Sequence, residues 1–127
     1  MSLSSHNVFG SGRAGTTIEG DVSGSFTTDM GLINNHVYGS INTKTARGSV
    51  SQAKTDFQFV GYGPVGTQPP YIGKVADWTQ SSDWISGSSA YLGFSKYFTA
   101  SCTAWSAFPS GSLKYSSGIL NISATYS

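Results

Sequence analysis

Between residues 16 and 28 apolar and polar side chains alternate without a break. Ile18, Gly20, Val22, Gly24 and Phe26 fall on one parity, and Glu19, Asp21, Ser23, Ser25 and Thr27 on the other. A period of two belongs to a pleated strand with one face on a core and one in water; a helix would scatter these apolar positions around its axis. The rhythm returns at residues 36–43 with Val37, Gly39 and Ile41, and at 56–62 with Phe57 and Phe59. It recurs at 90–98 with Leu92, Phe94 and Phe98, and at 119–126 with Leu120, Ile122, Ala124 and Tyr126. No segment offers a helical period, so the chain is expected to be all-β and antiparallel.

Turn chemistry divides these runs. Asp29-Met30-Gly31 and Asn34-Asn35 separate the first two, which read as a hairpin. Further strands are expected at 45–52, 71–78, 101–108 and 113–115. Three of the four prolines fall in 61–70, which reads as a fixed loop, residues 80–89 read as a polar connection, and Pro109-Ser110-Gly111 reads as a turn. About eight or nine short strands at this spacing make a single β-sandwich, jelly-roll-like, with an up-and-down barrel as the alternative. The domain is expected to span 16–127. Residues 1–15, rich in Ser and Gly, read as an extended N-terminal arm that needs a neighbouring subunit or its own domain to hold it.

Composition narrows the function classes. Charged residues are 10% of the chain, against roughly 25% in an average soluble domain. In their place stand 23 Ser, 12 Thr and 16 Gly, a surface that is wet without being strongly charged. The five Lys and two Arg are scattered, so no stripe exists to neutralise phosphates, and nucleic acid is not an expected partner. Low charge removes the repulsion that keeps copies apart, which makes a homo-oligomer plausible.

Met1-Ser2-Leu3-Ser4-Ser5-His6 lacks the basic and apolar segments of a leader, and no run approaches about 18 apolar residues. Neither a signal peptide nor a membrane span is expected. A chain assembled into a virion would reconcile this start with an extracellular-looking composition.

Catalytic constellations are sparse. The acids are Glu19, Asp21, Asp29, Asp56, Asp77 and Asp83; Glu19 and Asp21 share a strand face, but the solvent-facing one. Only His6 and His36 could act as a base, and neither belongs to a nucleophile motif. No enzyme, metal or cofactor is expected. Cys102 is the only cysteine and reads as a small packing residue.

Two interaction sites remain. Asp77-Trp78 is echoed by Asp83-Trp84, and with Tyr71 and Gln80 these could set aromatic faces and hydrogen-bonding groups against a sugar. Val8, Phe9 and Arg13 are candidate assembly residues on the arm. The expectation that follows is a non-enzymatic structural protein on the surface of a virus or bacteriophage, of the capsid-decorating or fibre type. It would bind itself and other particle proteins through the arm and sheet edges. The alternative is a lectin-like module using the Trp78 and Trp84 region.

Overall fold

A computed structural model describes residues 2–66 and 71–127. Ten strands are present among them: β1 (Ser2–Ala14), β2 (Ile18–Met30), β3 (Asn34–Arg47), β4 (Gln52–Val65), β5 (Tyr71–Ser81), β6 (Ile85–Ser86), β7 (Ser89–Thr99), β8 (Ala104–Tyr115), β9 (Gly118–Ser123) and β10 (Thr125–Tyr126). They form two antiparallel sheets. Sheet A has the order β10-β1-β2-β3-β7, and sheet B the order β5-β4-β8-β9 with β6 also on β4. The sandwich reading therefore holds over one closed barrel.

The stretch expected as an arm is a strand of sheet A. β1 pairs with β2 from Ser2 opposite Met30 to Ala14 opposite Ile18, so the chain's own hairpin holds it. Its inward side chains explain the pairing: Val8 is buried, and His6 stacks on Phe26 at 4.8 Å between ring centroids. His6 Nδ1 donates to the Ser127 carbonyl at 3.1 Å, and its Nε2 lies 3.2 Å from Thr28 Oγ1. A histidine that reads as part of a floppy tail is thus a clasp between the first and last strands.

Four further expectations need correction. The strand expected at 45–52 does not form as one element: β3 ends at Arg47, the chain bends, and β4 begins at Gln52. Pro109-Ser110-Gly111 is not a turn, because β8 runs through it. Pro109 lies opposite Phe57 on β4, where β9 has already left the sheet and no ladder partner calls for the missing N–H. The last strand splits in two: β9 stays in sheet B, Ala124 N–H donates to the Pro109 carbonyl at 3.0 Å, and β10 crosses to pair with Val8 and Phe9. The loop expected at 61–70 is strand as far as Val65, and 67–70 lie outside the described residues.

The core lies between the sheets, with Val22, Phe26, Val37 and Ile41 from sheet A meeting Phe57, Phe59, Leu113 and Ile122 from sheet B. Two glycines let the sheets close. A Cβ on Gly20 would strike Leu113, and one on Gly111 would strike Thr43 and Val22. Beside Gly111 a hydroxyl chain joins the layers. Thr55 Oγ1 donates to the Ala90 carbonyl at 2.8 Å and so accepts from Thr43 Oγ1 at 2.6 Å. Both hydroxyls are buried and both are satisfied, which is the condition for placing them there.

Candidate interaction surfaces

The six residues expected to hold a sugar are dispersed by β5 and its irregularities. Trp78 faces inward: it stacks on Phe59 with ring centroids 5.6 Å apart and packs on Phe57 at 5.7 Å. Its buried Nε1 has no hydrogen-bond partner among the described residues. Trp84 faces outward, with Lys114 Nζ 4.7 Å and Lys54 Nζ 5.9 Å from its ring centre. An even separation of six should put both rings on one face. Between the pairs Ser81 opposite Asp56 and Ile85 opposite Ala53, however, this edge uses one residue more than β4 does. That bulge exchanges inward for outward.

Asp83 sits in the bulge at φ 60°, in the left-handed region, where an Asp side chain is tolerated. Ser82 repairs the ladder: its N–H donates to the Thr55 carbonyl and its Oγ accepts from Thr55 N–H, both at 2.9 Å. Asp77 points outward, accepting from Gln58 Nε2 and Lys74 Nζ, each at 3.1 Å. The Gln58 bond first, and Lys74 second, hold its carboxyl below the ordinary value. Gln80 is exposed opposite Phe57, and Tyr71 is exposed at the far end of β5. The structure thus brings no two of the six together as one platform.

The three residues expected to mediate assembly also divide. Val8 is a core residue; Phe9 is 60% exposed on the outer face; Arg13 is exposed and 3.8 Å from Glu19, which Arg47 also approaches at 3.5 Å. Among the described residues, β1 is paired on its outer side where β10 reaches Val8 and Phe9 and nowhere else, with Ser127 N–H adding a bond to the Asn7 carbonyl. Among the described residues the ladder from Gly10 to Ala14 has no strand on that side.

Sequence reasoning passed over another surface, the outer face of sheet A beside β7. Successive rungs set His36 opposite Tyr97, Tyr38 opposite Ser95, Ser40 opposite Gly93 and Asn42 opposite Tyr91. His36 stacks on Tyr97 with centroids 3.8 Å apart and planes 11° from parallel, and Tyr38 leans on its other side at 4.4 Å. His36 Nε2 lies 2.7 Å from Ser95 Oγ, which locks the imidazole between the rings. Tyr91 reaches over Gly93, where a Cβ would stand 3.4 Å from its ring. The signal was present in the sequence: Tyr38, Tyr91 and Tyr97 take the parity opposite to Val37, Leu92 and Phe94, which sets three large rings at solvent-facing positions.

Among the described residues no three His, Cys, Asp or Glu side chains converge on a possible metal position. Burial pushes the Cys102 thiol up from its ordinary value, and its Sγ–H donates to the Ala104 carbonyl at 3.3 Å. Among known proteins, no family model, no curated protein and no solved structure matches this chain.

Proposed function

We propose that this chain is a non-enzymatic structural subunit of the surface of a virus or bacteriophage particle, joined to its copies at an open sheet edge. The observation that carries the reading is β1: hydrogen-bonded to β2 along its whole length on one side, and covered by β10 at only two positions on the other. Free N–H and C=O groups at such an edge accept another strand, which adds main-chain hydrogen bonds without any pocket. Edges are usually guarded by charge, yet from Ser2 to Gly12 β1 carries no Lys, Arg, Asp or Glu. Phe9, beside the edge, adds apolar area to the contact. In this reading β1 joins subunits as a rigid edge instead of as a loose arm.

Size-exclusion chromatography with light scattering tests it. The wild-type chain should run as an oligomer, and Phe9→Lys with Ser11→Lys should run as a monomer with an unchanged far-ultraviolet spectrum. A wild-type monomer at about 100 μM, well above the Kd of a stable subunit contact, would refute edge assembly. Carbohydrate recognition remains a second reading. The outward tyrosines of sheet A favour it, and they lie away from the edge of β1.

A further inference from the structure

We infer that the outer face of sheet A carries a binding site for a neutral polysaccharide, centred on Tyr38 and Tyr91. The site is independent of the assembly proposed above. Charges on this face lie at its two ends: Asp29 at one, and Arg13, Glu19, Asp21, Lys44 and Arg47 at the other. The three rungs between them hold Ser5, Thr27, Tyr38 and Ser95; Asn7, Ser25, Ser40 and Gly93; and Phe9, Ser23, Asn42 and Tyr91. None is charged. Hydroxyls, amides and phenol rings on an open sheet match a ligand that itself offers hydroxyls, C–H faces and no charge.

The rings are already in place before any ligand arrives. Tyr38 is braced by His36, and His36 by Tyr97 and Ser95. Tyr91 is seated over Gly93, the one position in that rung without a side chain to displace it. Tyr91 is 66% and Tyr97 73% exposed, so apolar ring area is presented to water by groups with little freedom left to lose. Pre-ordered rings cost little entropy on binding. Ser40, in the rung between Tyr38 and Tyr91, and Asn42, opposite Tyr91, offer donors and acceptors for sugar hydroxyls. The flat surface suits a chain of several sugars over a single residue held in a pocket. A protein partner fits less well: Phe9 is the only large aliphatic or Phe/Trp side chain in the three rungs, so the dry apolar centre of a protein interface is missing.

Affinity electrophoresis of the full chain through gels containing soluble β-glucan, mannan or hydroxyethyl cellulose tests the inference, with carboxymethyl cellulose as the charged counterpart. At least one neutral polymer should retard the wild type. Tyr38→Ala and Tyr91→Ala should each weaken that retardation about tenfold, with an unchanged Tm. Gly93→Val should do the same by pushing Tyr91 aside, while Trp84→Ala should have no effect. The inference fails if no neutral polymer retards the chain, if only the carboxylated one does, or if Trp84→Ala abolishes binding. It also fails if the tyrosine variants lose self-association and no glycan binding, since that assigns the face to a second copy. Light scattering on the same variants separates these outcomes: Phe9→Lys with Ser11→Lys tests the edge, and the tyrosine substitutions test the face.

Discussion

The outer faces of the two sheets rest on one interior but are finished in different ways. Sheet B sets cations beside acids, with Lys54 3.9 Å from Asp56 and Lys74 3.1 Å from Asp77, and lays Trp84 between two lysines. Sheet A keeps its charges, the pairs of Arg13 and Arg47 with Glu19 among them, at the ends and fills its middle with hydroxyls, amides and tyrosines. Exposed ion pairs of the sheet B kind are screened by water and hold little in place. A neutral aromatic face has no such internal partners and is free to take an external one. The difference teaches where to look for binding in a chain with so few charges: where they have been cleared away.

The shared interior predicts the largest effect. Gly111 belongs to sheet B, yet the atoms that a Cβ there would strike, on Thr43 and Val22, belong to sheet A. Gly111→Val should therefore destabilise by about 3 kcal/mol or more, the upper range for an overpacked core. Chemical denaturation measures the loss, and hydrogen exchange reads its distribution. Protection should fall together in β3 and β8. If sheet B loosened while sheet A kept its protection, the two layers would not share one cooperative core.

A second effect separates the inner from the outer face within sheet B. Trp78→Ala removes a half-buried ring packed against Phe57, Phe59 and Phe94 and should cost about 3 kcal/mol, the lower end for truncating a packed aromatic side chain. Trp78→Phe keeps most of that contact and removes an indole N–H that has no partner, so it should cost under about 1 kcal/mol. Trp84→Ala, on the outer face, should stay within about 0.5 kcal/mol apart from its contact with the two lysines. Urea midpoints for the three variants give the order. Equal losses at both tryptophans would contradict the change of face at the bulge.

The two tryptophans also mark the limit of what the sequence discloses. Alternation of period two reports parity within a strand, so Ile18, Val22, Phe26, Phe57, Phe59, Leu92 and Phe94 could be assigned to the core directly. Parity cannot be carried across an inserted residue, and β5 meets one near Val75 and another at 82–84. Ser81-Ser82-Asp83 signalled an irregularity, but nothing local said that exactly one residue would be added. Pro109 misled for a different reason. It is a strand breaker only where its N–H is needed, and that depends on β9 departing fourteen residues further along, between Ser123 and Ala124. The arm was misread because Gly10 and Gly12 remove the apolar alternation that β2 shows. Chain passes close by at both: Ser123 and Ala124, where β9 gives way to β10, lie over Gly10, and Ile122 of β9 lies over Gly12.

The smallest effect belongs to the ion pairs of sheet B and carries a definite sign. Asp77 has its carboxyl held below the ordinary 3.8 by the Gln58 amide and by Lys74. An acid with a depressed folded-state pKa stabilises the fold above its unfolded value, and that contribution is lost as pH falls through the folded-state value. Asp77→Asn should therefore melt slightly below the wild type at pH 7, and the gap should close as pH drops below about 3.8. Because the pair lies at the surface, salt at about 0.5 M should narrow the gap at pH 7 as well. Tyr91→Ala, on the neutral face of sheet A over Gly93, should show no matching change between the two pH values. A Tm gap for Asp77→Asn that widened on acidification would mean that the carboxylate is strained by its neighbours, and the contrast between a charge-paired face and a cleared one would lose its basis.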